Sequence, residues 1–444
     1  MSKRTMASRR LGDVGAGFLV VILGITSFDG AALAQAQPEA PPEPMGEDPP
    51  IAAPAAEPAS PPADAGAARA PSEEARAGAP APQGVAGPGP ASPAPPAEEE
   101  PWKKPISVAA WARVGGRLQN PAAREKMDRL LGDGELDLSF SGEINRFIGV
   151  QGAIVAQFGP TPTGGNIAGS ATLRDAIAKF RVHDVLNVWI GRMIVPSDRS
   201  AFSGPWSMGP WNYPGFFEPY APPIGPRQGP LGRNDGVTAW GKVAGGLFKY
   251  YVGAFNLHDS SVSPLYTARI NVSLLDPEPA YYQRSTYLGE KNILALGVAG
   301  EVQREGSVES LPPPADGAPP GVPRKDTYGE VNADLLFEKN LGTAGTITLE
   351  GAFYKYFGDF ERFDYSYFAL ASYLTPDNVG VGKLQPLVRL QQAKPKSADP
   401  YLLIDAQMGY IIEGHAARVA LGYQRSDLSG AKGNALFLGV QVQK

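Results

Sequence analysis

Charged side chains recur at alternate positions along most of this chain, and they are the residues whose types could do chemistry. Between residues 105 and 444 the polar positions carry nine bases: Arg113, Arg117, Lys179, Arg181, Lys242, Lys249, Arg269, Arg389 and Arg418. Nine acids oppose them: Glu135, Asp137, Glu143, Asp175, Glu301, Glu330, Asp334, Glu350 and Asp405. Such a set can set the field inside a wet cavity, but it cannot make or break bonds by itself. The even tally decides neither anion nor cation preference, and mutual pairing of solvated charges remains the plain alternative. Bond-making chemistry lacks its usual residues. With no Cys there is no thiolate nucleophile, disulfide framework or Cys-ligated metal. The three His, His183, His258 and His415, are far apart and read as turn or strand-end residues rather than ligands. No nucleophile–base motif, phosphate loop or metal spacing occurs, so the expectation is a non-enzyme without a cofactor. A formal charge of −5 also argues against a nucleic-acid partner.

The most unusual stretch is 196–234, rich in Pro and carrying Trp206, Trp211, Tyr213, Phe216, Phe217 and Tyr220. It can be neither strand nor helix, yet it is too aromatic for a freely solvated loop. Two readings stand. It folds inward as a constriction, with Arg199, Arg227 and Arg233 facing Asp198 and Glu218, or it caps the rim from outside. Arg192 follows Gly191 where strict alternation slips, so the pattern leaves its direction open but keeps it as a candidate.

The elements that must position these groups are strands. About ten residues of period-two alternation, then a turn, repeat from 105 to the end. In 401–412, Leu402, Ile404, Ala406, Met408, Tyr410 and Ile412 share one face, opposite Asp405, Gln407 and Gly409. Segments 135–144, 328–337 and 434–443 repeat the pattern. The reading gives strands near 105–118, 135–145, 147–158, 172–182, 186–195, 235–244, 247–257, 266–275, 292–304, 326–338, 345–357, 362–374, 380–391, 401–412, 415–425 and 434–443. An even set of similar strands with alternating short and long connections predicts an all-β, antiparallel, up-and-down transmembrane barrel of about 16 strands. A barrel of that size keeps an aqueous lumen. Tyr250, Tyr251, Phe353, Tyr354, Tyr356, Tyr365, Tyr367, Tyr410 and Tyr423 lie near strand ends, as interfacial girdles would. Short turns assign one rim to the periplasm, and one long connection there, 276–291, breaks the regularity.

The N-terminal quarter differs in kind. A basic start (Lys3, Arg4, Arg9, Arg10), an apolar stretch over 15–28 and Ala32-Leu33-Ala34 predict a signal peptide over 1–34. Residues 35–100 hold 18 of the 45 Pro and end in Glu98-Glu99-Glu100. That composition predicts a disordered periplasmic linker, either a plain spacer or an arm reaching toward peptidoglycan. The barrel domain then occupies 101–444.

Several stretches carry a family likeness. They are Leu173-Arg174-Asp175-Ala176 leading to Ile190-Gly191-Arg192 and Pro196; Arg233-Asn234-Asp235-Gly236-Val237, Gly241 and Tyr251-Val252-Gly253-Ala254-Phe255-Asn256; Ala371-Ser372-Tyr373-Leu374 with Gln385-Pro386-Leu387-Val388-Arg389; and Tyr410-Ile411-Ile412-Glu413-Gly414-His415 before a last strand with Gly439-Val440-Gln441. In this order they resemble the phosphate-selective porin (porin O/P-like) family of Gram-negative outer membranes. The resemblance implies a sixteen-stranded barrel in outer-membrane lipid, usually a homotrimer, with its third long loop folded into the channel. It carries over the fold and the pore role and leaves the solute open, since the lumen faces hold only Lys179, Lys242 and Lys249. The expected function is passive diffusion of small hydrophilic solutes or ions, with a mild anion preference from arginines near 196–234 and with Arg113, Lys179, Arg181, Arg192, Arg199, Arg227, Arg233, Arg269, Arg389 and Arg418 as lining or constriction candidates. A plugged structural or wall-anchoring barrel, and an exported soluble β-protein that binds glycans, are the alternatives.

Overall fold

The computed structural model describes residues 106–120, 127, 129–160, 167–213, 232–257, 263–309, 311 and 321–444. The signal-peptide and linker expectations, and those for Phe216, Phe217, Glu218, Tyr220, Arg227 and His258, lie outside these residues.

The strands are β1 (Ser107–Asn120), β2 (Arg129–Asn145), β3 (Ile148–Pro160), β4 (Ile167–His183), β5 (Leu186–Ile194), β6 (Arg233–Val243), β7 (Phe248–Phe255) and β8 (Leu265–Ser273). They continue as β9 (Ile293–Val308), β10 (Lys325–Asn340), β11 (Thr346–Phe357), β12 (Phe363–Leu374), β13 (Lys383–Pro395), β14 (Tyr401–Glu413), β15 (Ala417–Leu428) and β16 (Ala431–Gln443). Each pairs with its sequence neighbour, and β1 pairs antiparallel with β16, so the sheet closes into a 16-strand barrel with no free edge. A helical turn, α1 (Arg199–Ser203), lies in the connection between β5 and β6.

Alternation decides which way each side chain points. Leu138, Val298, Leu421 and Leu438 are 46%, 47%, 55% and 52% exposed, whereas Asp137, Arg269, Arg389 and Asp405 are 1% or less. A water-soluble sandwich has the reverse arrangement, apolar inside and polar outside. The apolar outer band and the charged interior are what a barrel in lipid requires.

Several strands run longer than their alternation suggests. β2 begins at Arg129 rather than 135, and β9 and β13 continue to Val308 and Pro395. All three extensions lie on the side of the long connections. There the outer face no longer needs apolar residues, as Arg304, Glu305 and Gln392 show, so the ladder continues after the hydropathy signal has stopped.

Three of the girdle aromatics belong elsewhere. Tyr251, Tyr354 and Tyr356 are 0–2% exposed and face the lumen, because they share parity with Lys249 and Glu350. Phe353 and Tyr423 do face outward, and Phe353 stacks on Tyr365 with centroids 6.0 Å apart.

Candidate functional site

The candidate site is the lumen, and two connections enter it from opposite rims. The first leaves β5 and is buried from Val195 to Tyr213, apart from the half-buried Gly209, so it folds inward and does not cap the rim. Its start is fixed by short-range chemistry. Asp198 caps α1 by accepting from Ser200 N at 2.8 Å and Ala201 N at 3.3 Å. The same carboxylate accepts from Tyr354 Oη on β11 at 2.7 Å, and Ser197 Oγ lies 3.1 Å from Asn332 Nδ2 on β10. Burial pushes the Asp198 carboxyl above its ordinary range. Gly204 then turns the chain at φ 58°.

Beyond Gly204 the loop has neither helix nor strand partners for its carbonyls, and lumen side chains supply them. Arg418 donates to Met208 O at 2.5 Å and Pro205 O at 2.9 Å. Arg113 donates to Trp211 O at 2.7 Å, and Arg389 to Asn212 O at 2.8 Å. Gln441 and Gln443 both reach Trp206 O at 2.9 Å, and Gln407 Oε1 accepts from Trp211 N at 2.8 Å. The Arg113 guanidinium lies over Trp211, 4.0 Å from the ring centre. Gly439 leaves room for that indole, since a Cβ there would overlap it. β5 and β13 are eight strands apart in a ring of sixteen. The loop therefore spans the lumen from one wall to the opposite one.

The second connection, 274–292, enters from the short-turn rim. Glu338 receives N–H donors from Tyr287 and Gly289 at 3.1 and 2.8 Å and the Thr286 hydroxyl at 2.6 Å. Lys249 donates to Ala280 O at 2.7 Å, and Tyr251 Oη to Tyr281 O at 2.8 Å. The two connections meet at Arg199, whose guanidinium binds Glu278 through both carboxylate oxygens at 2.7 and 2.9 Å and donates to Arg284 O at 2.9 Å. Ser285 N donates to Ser203 Oγ at 3.1 Å beside them. Burial alone would raise the Glu278 carboxyl, but the Arg199 charge and hydrogen bonds outweigh it and hold the group well below the usual carboxylate range.

Most of the predicted lining residues do point inward, but they are engaged. Arg269 binds Asp334 at 2.5 and 3.1 Å and Gln283 at 2.8 Å; Arg389 also binds Asp405 at 2.8 Å. Arg113 lies 3.8 Å from Glu135, and Arg181 pairs with Glu143. Arg233 lies 3.5 Å from Asp175 on the wall, and Arg199 pairs with Glu278 rather than with an acid of its own loop. Arg192 is not a lining residue. It pairs at 3.0 Å with Asp235, whose strand turns Asn234 and Thr238 inward and Asp235 outward, so the pair is on the outer wall. Two residues escaped the sequence reading. Arg174, buried and bound to Asp137 and Asp175, occupies a register shift opposite Ala153 and Ile154 that turns it inward against parity. Glu278 belongs to the connection whose only signal was its irregular length.

At the short-turn rim a cavity of about 340 Å³ remains between the β2–β6 wall and the inserted 274–292 connection. Lys179, Arg181 and Lys242 line it, with Trp189, Trp240 and Tyr282. Lys179 Nζ lies over the Trp189 ring at 4.4 Å, and Trp189 stacks on Tyr281 at 4.1 Å.

No family model and no curated protein sequence matches the chain. Solved porin structures do resemble it in shape. Pseudomonas putida OprB at high pH is 11% identical, with a TM-score of 0.52 over 77% of this chain and 94% of that one. Salmonella typhi OmpF, solved in complex with daunomycin, is 11% identical with a TM-score of 0.50 over 76% and 97%. At such identity the likeness is one of fold, so the chain shares the closed sixteen-strand barrel architecture of outer-membrane porins.

Proposed function

We propose that the protein is an outer-membrane pore of a Gram-negative cell, passing small hydrophilic solutes through a channel narrowed from both rims. The observation that carries this reading is a closed barrel with an apolar outer band and a charged lumen crossed by an inward loop. Its mechanism is steric sieving plus the field of fixed charges, with no covalent step. Residues 101–444 form the pore domain, 1–34 direct export, and 35–100 form a periplasmic linker able to reach peptidoglycan. The likeness to the phosphate-selective porins supports a homotrimer and leaves the solute open; a preference for anions is read from the arginines near the 196–234 loop. Because Arg113, Arg269 and Arg389 are committed to acids or carbonyls, that preference is mild and is set by the basic rim cavity.

One feature favours the plugged-barrel reading instead. The Arg199–Glu278 junction joins the two inserted connections inside the lumen. Single-channel recording of the purified protein in planar bilayers separates the two. Discrete openings support the pore. A folded, heat-modifiable barrel that never conducts would leave the structural, wall-anchoring role. Reversal potential in a salt gradient reads the ion preference.

A further inference from the structure

We infer that the outer wall of β15 and β16, at the rim of the long connections, holds the phosphate of a phosphorylated membrane lipid between Arg425 and Lys432. The order of outward residues is the first observation. Toward that rim β15 presents Leu421, Tyr423 and Arg425, and β16 presents Leu438, Leu436, Asn434 and Lys432, all exposed except the half-buried Asn434. Apolar, then amphipathic, then cationic side chains on two adjacent strands match the acyl, interfacial and headgroup layers of a bilayer in turn. Tyr423 Oη donates to Asn434 Oδ1 at 2.5 Å and ties the strands together where the apolar band ends.

The register brings the two cations together. Arg425 lies opposite Asn434, and Lys432 is two residues along from Asn434 on the same face. Such diagonal neighbours stand roughly 7–8 Å apart, within reach of long side chains. A guanidinium and an ammonium can therefore close on one phosphate, the former through two parallel N–H donors. What singles this pair out is that neither cation is committed. Around the same rim Lys355 is bound to Asp364, Lys394 donates to Ala398 O at 2.9 Å, and Arg304 lies 3.9 Å from Glu305. Among the described residues the Arg425 and Lys432 side chains have no ion pair or hydrogen bond. Asp427 is opposite Lys432 but forms no ion pair with it, and its Oδ1 accepts from Gly430 N at 2.7 Å. Two neighbouring exposed cations repel each other unless an anion sits between them. A lipid phosphate is carried to that height by acyl chains lying on Leu421, Leu436 and Leu438, which a free phosphate lacks.

The site rests on the outer-membrane reading of the barrel and not on its conduction. The probe is diphosphoryl lipid A, with the same lipid stripped of phosphate and inorganic phosphate in parallel. Each is titrated into the detergent-purified full chain, and lipid retention is read by native mass spectrometry. Arg425→Gln, Lys432→Gln, the double variant and Arg304→Gln are checked for folding by heat-modifiable migration and titrated likewise. Each single site variant should bind about fivefold more weakly and the double variant about twenty-fivefold, the contribution of one and two basic side chains at an anionic surface. Arg304→Gln should bind like the parent, the phosphate-free lipid should bind no better than the double variant, and inorganic phosphate should not displace the lipid. Equal retention of the phosphate-free lipid, equal losses from Arg304→Gln and the site variants, folded site variants that bind like the parent, or displacement by inorganic phosphate overturns the site. Conduction without phosphate-dependent retention removes the site and leaves the pore. Retention by a barrel that never conducts does the reverse.

Discussion

At the scale of single residues, the lumen arginines act as clamps. Arg418 holds Pro205 and Met208 carbonyls and shares Gln441, and no carboxylate ion pair of Arg418 occurs among the described residues. A hydrogen bond from a charged donor contributes about 1.5–3 kcal/mol, so Arg418→Ala should loosen the loop over 205–212 without opening the barrel. Single-channel conductance should rise severalfold while heat-modifiable migration is retained; an unchanged conductance would count against the clamp. Gly439→Leu should act the same way by displacing the Trp211 ring. Which faces these residues occupy was legible from alternation alone. Their carbonyl partners were not, because a loop's path depends on contacts with strands more than 200 positions away, as for Arg418 and Pro205. Arg174 was hidden for a different reason: one register shift reverses parity, and hydropathy does not mark it.

At the scale of elements, two connections of unlike composition share one junction. The aromatic loop after β5 announced itself by its Pro and Trp. The 274–292 connection did not, since Glu278, Arg284 and Tyr287 look like ordinary rim residues until the lumen closes over them. Arg199→Ala would leave Glu278 buried and unpaired, which typically costs about 3–5 kcal/mol. Both connections should then become protease-sensitive, and conductance should increase; continued protection in limited proteolysis would refute the junction as the lock. The sign of the pH dependence follows from Glu278. A carboxyl depressed in the folded state gives stability that is fully present above its unfolded value near 4.5 and is lost only as pH falls through the folded value. Proteolytic protection of 274–292 should therefore be flat from pH 7 to 4.5. Release within that window would assign the titration to Glu338, which also holds the connection through Thr286, Tyr287 and Gly289, rather than to Glu278.

At the scale of the whole molecule, stability depends on an inversion that the sequence states openly. Outward Leu421, 55% exposed, sits among the apolar residues of β15 and β16, while Arg418 on the same strand turns inward. An arginine at the centre of the lipid face costs about 2–4 kcal/mol. Leu421→Arg should lower unfolding stability in bilayers by that order, whereas Gln424→Arg, inward on the same strand, should cost much less. Equal losses from both would contradict the assignment of faces. The number of strands and their order were readable beforehand, and an inward third loop was one of the two readings its composition allowed. Strand ends on the long-loop side were not readable, because water-exposed ladders need no alternation. Arg192 misled for want of a clear parity beside Gly191, where φ is 129°.

The seat of the aromatic loop has a consequence for assembly. Its clamps come from β1 through Arg113 and from β16 through Gln441, the two strands that meet at the closing seam. In an unclosed sheet these groups lie on its two opposite edge strands, so the seat does not yet exist. Docking of Trp206 and Trp211 is then a late event that reports a finished ring. During refolding into vesicles, protection of tryptophan from an aqueous quencher should be completed after heat-resistant migration appears, never before it. The loop that narrows the channel would thereby also serve as the check that the wall around it is whole.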